Sequence, residues 1–135
     1  MYRPNDICMK KQILFIIFFG FILISLKGQT SKTVNITAGK LWSSVKVSEK
    51  ESISSLAITG TMDARDFIQL KDSFPSLTTL NLDNGSITAF GSSVANAIPD
   101  GVFYNNVKLK SVVLPKNISS IGGNAFNGCL NITSI

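Results

Sequence analysis

Hydrophobic and polar positions at the C-terminal end of the chain recur at a fixed interval. Laid over each other with an offset of 23, "IPDGVFYNNVKLKSV" (98–112) and "IGGNAFNGCLNITSI" (121–135) match apolar to apolar throughout. Ile98 falls on Ile121, Val102 on Ala125, Phe103 on Phe126, Val107 on Leu130, Leu109 on Ile132 and Val112 on Ile135. One unit reads Leu109-x-x-Val112-x-Leu114-Pro115-x-x-Ile118-x-x-Ile121-Gly122-x-x-Ala125-Phe126-x-Gly128-Cys129. Val112 and Leu114 alternate around Val113, which is strand spacing with two side chains inward and one outward. Pro115 ends that strand because it brings no N–H to the ladder. Ile118 and Ile121, three apart, give one apolar contact per turn along an irregular or 3₁₀-like return. The pattern predicts that Gly122 and Gly123 make a turn where a side chain would clash. One such unit buries too little apolar surface to offset the conformational entropy of ordering it, so units must stack and cover one another.

A related rhythm precedes it. Ile53-x-x-Leu56-x-Ile58 and Leu77-x-x-Leu80-x-Leu82 are strand entries separated by 24 residues. Between them Asp63 is a helix cap with Asp66 three residues on, near the positive end of the helix dipole. Phe67, Leu70 and Phe74 follow as an apolar stripe, and Pro75 stops the helix. "TVNITAG" (33–39) alternates as a first strand, and "KLWSSVKVSEKE" (40–51) places Leu41, Trp42 and Val45 on a short helix. These two segments read as a cap sealing the end of the stack, and "ITAFGSSVANA" (87–97) as the irregular join between the two rhythms.

Self-similarity at 20–29 residues marks a leucine-rich-repeat solenoid. The expected fold is therefore α/β: a right-handed coil of short parallel strands with helical or 3₁₀ returns and an N-terminal cap. The expected organisation is a leader over 1–28, a capping region over 29–62, and repeats over 63–135. Ile135 matches only the first inward strand position of a further unit, so the array is expected to continue beyond it.

"LKSVVLPKNISSIGGNAFNGCLNITSI" (109–135) resembles the BspA-like leucine-rich repeats of bacterial surface proteins, whose units run L-x-x-V-x-L-P-x-x-[IV]-x-x-I-G-x-x-A-F-x-x-C. The segments "LAITGTMDARDF" (56–67) and "LTTLNL" (77–82) are similar to the region that often precedes such repeats. Two positions depart from the pattern in the first unit: Asn106 stands where the family has Cys, and Pro99 where it has Gly. The resemblance implies a non-enzymatic adhesin or recognition module for host protein, cells or glycans, carried at the cell surface.

Charge adds little to this picture. The net charge is +5, but Arg3, Lys10, Lys11 and Lys27 supply four of the thirteen cations, and from Gln29 onward nine Lys/Arg face seven Asp/Glu. Lys108 and Lys110 are the only tight pair in that part, so no clustered basic face is expected and nucleic acid is not an expected partner. "MKKQILFIIFFGFILISLKG" (9–28), with a second start available at Met9, has a dibasic front and fourteen apolar or small residues from Ile13 to Leu26. That length suits the core of a secretory signal; as a helix it reaches about 21 Å, short of the ~30 Å hydrocarbon layer. Export follows in either case, with membrane attachment only through this leader if it is retained. Cys8 precedes the apolar run, which leaves Cys129 alone in the exported part as a small apolar filler without a disulfide partner.

Candidate chemistry is sparse. The chain has no His, which removes Ser-His and Cys-His nucleophiles and imidazole metal ligation. Asp63 and Asp66 read as capping residues before they read as a carboxylate pair. "LDNGS" (82–86) lacks the alternating acidic ligands of a calcium loop and reads as a turn. Asn35, Asn117 and Asn131 begin Asn-x-Ser/Thr triplets, which an Asn- and Ser-rich repeat generates readily by chance. Trp42 reads as a hydrophobe of the capping layer. No cofactor is expected. Binding is expected on the solvent side of the strands, at Thr79, Asn81, Ser111 and Val113, with Thr133 starting the next row. Small uncharged groups there suit a protein or glycan ligand. The alternative is a structural spacer that presents a further domain, and an anchored catalytic domain comes last.

Overall fold

The computed structural model describes residues 28–135; the leader reading lies outside the described residues apart from Gly28. The elements are β1 (Thr30–Ile36), α1 (Leu41–Ser44), α2 (Val47–Lys50), β2 (Ile53–Met62), α3 (Ala64–Ser73), β3 (Thr79–Asn81), β4 (Gly85–Ile87), β5 (Ala97–Ile98), β6 (Ser111–Val113) and β7 (Ser120–Ile121). The main sheet runs β1-β2-β3-β6, all parallel, with β4 also on β2; a second, two-stranded parallel sheet joins β5 to β7.

The registers carry the periodicities read from the sequence. Ser31 pairs with Ser55 and Ser55 with Thr79, a step of 24 each time. Ser111 bridges to Ser134 and Ile98 pairs with Ile121, a step of 23. Between these rhythms, Thr79 pairs with Ser111 across 32 residues. The extra length lies in the irregular join, where Phe90 and Ser93 form an antiparallel bridge and the Arg65 guanidinium sits 4.0 Å over the Phe90 ring. β1 and β2, within the stretch read as a cap, are thus rungs of the same sheet at the same spacing.

Each rung seals the one before it. Inward residues Leu56, Leu80 and Val112 align across β2, β3 and β6 and are all buried. Lys32 occupies the same inward column on β1 and pairs with Glu49 of α2. A charge facing inward on an edge strand discourages pairing with another chain at that edge. On the other side, Ile98 of β5 is 1% exposed beneath β7, whereas Ile121 of β7 is 47% exposed.

The first return is helical for the reasons its sequence states. Asp63 accepts the Arg65 N–H (2.9 Å), Asp66 accepts the Asp63 N–H (3.0 Å), and together they form a capping box. Phe67, Leu70 and Phe74 are all buried, and α3 ends at Ser73. The later returns take the irregular of the two expected courses and correct the 3₁₀ one: they are successive turns. Tyr104 and Asn106 donate to Gly101 and Phe103 (3.1 and 2.9 Å), as Ala125 and Cys129 donate to Gly122 and Phe126 (3.0 and 3.1 Å). Asn105 and Gly128, equivalent by the 23-residue step, have φ of 57° and 78°. A left-handed residue at that point stops helical propagation in both units.

Trp42 is a second correction. Leu41, the first residue of α1, and Val45, just past its end, are buried and a separate helix α2 follows, but Trp42 between them is 49% exposed. A four-residue helix has too narrow an apolar face to bury consecutive large side chains.

Gly122 and Gly123 separate in role. A Cβ on Gly122 would lie 2.5 Å from the Asp100 Cα and N and 2.8 Å from the Pro99 carbonyl carbon, all backbone of the neighbouring rung. On Gly123 the nearest atom is Asp100 Oδ1 at 3.7 Å, an ordinary contact. Gly122→Ala is therefore expected to destabilise by about 1–3 kcal/mol, and Gly123→Ala by no more than about 0.5 kcal/mol. Urea midpoints of the two variants compare them directly.

Candidate ligand-binding face

Parallel pairing without register slip from Ser31 onward sets outward side chains in rows that cross the strands. The first row is Ser31, Ser55, Thr79, Ser111 and Ser134, one from each rung. The second is Thr33, Ala57, Asn81 and Val113, and Asn35 pairs with Thr59 beyond it. None of these side chains carries a charge. The first row is made entirely of hydroxyls.

Four of the five residues expected on this face are brought together. Thr79 and Ser111 are paired neighbours and half-buried; Asn81 and Val113 are paired neighbours and exposed, Val113 to 41%. Thr133 sits one residue out of line. Its N–H donates to the Lys110 carbonyl (2.9 Å) and its hydroxyl to the same oxygen (3.2 Å), which sets it in the column of Thr78 and Lys110. Ser134 occupies the row position instead, with its hydroxyl donating to Ser111 Oγ at 2.8 Å. A 23-residue step from Ser111 leads to 134, so the offset itself was the signal for Ser134. The contribution of β1 went unread because its segment was taken as a cap, although "TSKTVNI" alternates and sits 24 residues ahead of β2; β2 was read as a strand entry, but its outward Ser55 and Ala57 were not carried onto the face.

Local bonds hold the face in shape. Asn81 Oδ1 accepts the Asp83 N–H (2.9 Å), which turns the chain after β3. Thr78 Oγ1 donates to the Ser54 carbonyl (3.1 Å), tying the start of β3 to β2 as Thr133 ties its rung to β6. At the far end Lys116 reaches Asp83 at 3.3 Å, an exposed ion pair between consecutive rungs. Asn106, where the repeat pattern has Cys, accepts the N–H groups of Lys108 and Leu109 (3.0 and 3.1 Å) and so leads the chain into β6. Cys129, its equivalent, points its thiol at the Phe103 carbonyl (2.9 Å) and packs against the core.

Asp63 and Asp83 serve the fold. Hydrogen bonding from Arg65 holds the Asp63 carboxyl below its usual value, so it is ionised at neutral pH and caps α3 in that form. Asp83-Asn84 form the turn between β3 and β4. Among the described residues no group of three His, Cys, Asp or Glu is placed to hold a metal ion, and no helix is long and apolar enough to cross a membrane.

Residues 96–135 match a family model described as a BspA type leucine rich repeat region (6 copies). No curated protein matches the chain. Domains of this repeat type are commonly protein-interaction modules. The matched stretch takes in the β5-β7 ladder, β6 and the Phe103–Phe126 pair, the elements on which the 23-residue step was read. Over residues 96–135 the chain is similar to BspA-type leucine-rich repeats.

Proposed function

We propose that the chain is an exported, non-enzymatic recognition module: a right-handed leucine-rich-repeat solenoid whose outward sheet face adheres to a protein or glycan at the cell surface. The observation that carries this reading is the uncharged outward face, in which Ser31, Ser55, Thr79, Ser111 and Ser134 form one row and Thr33, Ala57, Asn81 and Val113 the next. Hydroxyls and an amide interspersed with an exposed Val offer donors, acceptors and apolar contact without a charged partner to desolvate. Parallel crossovers are right-handed in nearly all known cases, which supports the hand. The hydrophobic run 13–26 behind Lys10 and Lys11 supports export. A face without Lys or Arg gives phosphate backbones nothing to pair with, which argues against nucleic acid.

The face is tested by a double substitution, Asn81→Arg with Val113→Arg. Both positions are solvent-exposed and the only bond given up is the one from the Asp83 N–H to Asn81 at an exposed turn, so far-UV circular dichroism is expected to stay unchanged with a stability loss of no more than about 1 kcal/mol. Binding to arrayed matrix proteins and glycans is expected to fall at least tenfold for whichever target the unsubstituted chain retains. Retention undiminished by the two arginines would move the binding function off this face and favour the spacer reading.

A further inference from the structure

A groove of about 300 Å³ is bounded by α1, α2 and the C-terminal end of α3, and none of the sheet-row residues lines it. Trp42, Lys50, Glu51, Asp72, Ser73 and Pro75 line it. Its volume is at the lower end of the range for small-molecule sites, about 300–1,000 Å³. The aromatic ring carries a cation against it. Lys50 Nζ lies 3.1 Å from the Trp42 ring centroid and donates to the Trp42 carbonyl at 2.9 Å. Lys50 is itself buried, and burial pushes its ammonium below its usual pKa. The cation rests against the indole, and Trp42 as a whole is 49% exposed, so part of the side chain stays open to solvent at the groove.

The chemistry around the ring narrows what can stack there. A second cation is disfavoured, because the Lys50 ammonium already draws on the ring's π density from beneath. An anion is disfavoured by the carboxylates of Glu51 and Asp72 at the rim. A neutral ring with an apolar C–H face and hydroxyl donors along its edge meets neither objection: its face stacks on the indole and its hydroxyls donate to a carboxylate. We propose that this groove is a subsite for a neutral hexopyranose, stacked on the exposed part of Trp42 and hydrogen-bonded to Asp72. The site is separate from the outward sheet rows and does not depend on them.

Trp42 is the single tryptophan of the chain, so its emission reports on the groove alone. The full-length chain is titrated with the methyl glycosides of glucose, galactose, mannose and N-acetylglucosamine, with glycerol as a polyol control and tetramethylammonium and N-acetylneuraminic acid as charged probes. The expected result is a saturable emission change with at least one neutral glycoside and none with glycerol or either charged probe. Asp72→Asn, at an exposed helix position, is expected to weaken that glycoside about five- to tenfold with an unchanged thermal transition. Lys50→Met removes the cation under the ring and is expected to admit tetramethylammonium. Saturation by none of the glycosides, saturation by a charged probe alone, or full glycoside affinity in Asp72→Asn would each overturn the assignment.

Discussion

Asp66→Ala is expected to cost about 3–5 kcal/mol and to lower the thermal midpoint by more than about 10 °C. Asp66 is buried, and its carboxylate accepts three backbone N–H groups: Gly39 at 2.7 Å, Leu41 at 3.0 Å and Asp63 at 3.0 Å. Two of those donors lead into α1 and the third begins α3, so one side chain joins the cap to the first helical return. Truncation leaves all three donors without an acceptor in a region water enters poorly, and each such loss costs about 1–3 kcal/mol. Asp66→Asn keeps one acceptor oxygen and is expected to lose roughly half as much, which separates hydrogen bonding from packing. Equal stability of the alanine variant and the parent in urea would remove Asp66 from this role.

Phe103→Ala is expected to cost a similar 3–5 kcal/mol, but with a different signature. Phe103 is buried between two rings: it meets Phe67 of α3 edge-on at 6.2 Å and 73°, and stacks on Phe126 at 5.5 Å and 20°. It therefore couples the helical rung to the turn-built rungs that follow. A cavity at that junction weakens one interface in a structure whose stability is a sum over neighbours. Trp42 emission follows the cap, and far-UV circular dichroism follows the whole chain. In the parent the two urea transitions are expected to coincide; in Phe103→Ala the dichroism is expected to change at lower urea than the emission. Coincident transitions in the variant, displaced by less than 1 kcal/mol, would contradict the coupling.

The parts of the fold legible in the sequence are those where one interaction dominates. The 23- and 24-residue steps survive into strand registers because each large apolar residue must meet its equivalent one rung away, as Phe126 meets Phe103. The α3 cap was legible because Asp63 and Asp66 satisfy donors within three residues of themselves. What stayed hidden depends on partners distant in sequence. Nothing local distinguishes Asp66 as a ligand for the N–H groups of Gly39 and Leu41, 27 and 25 residues earlier. Trp42 was read as a hydrophobe of the capping layer on one short helix with Leu41 and Val45, whereas the segment forms two four-residue helices and buries only Leu41, Val45 and Lys50. The outward rows were half-legible. Thr79, Asn81, Ser111 and Val113 follow from alternation, while the contribution of β1 required knowing that the cap shares the sheet.

The parallel ladder also fixes how such a chain responds to tension. Its inter-strand hydrogen bonds join residues 23–32 positions apart and point from rung to rung. A pull along the stacking direction opens them one rung at a time rather than shearing many together. Each release frees a segment of about 80–110 Å at the ~3.5 Å extension of one residue. A body anchored by one end and gripped by the other would lengthen in steps, shedding load before its attachment fails.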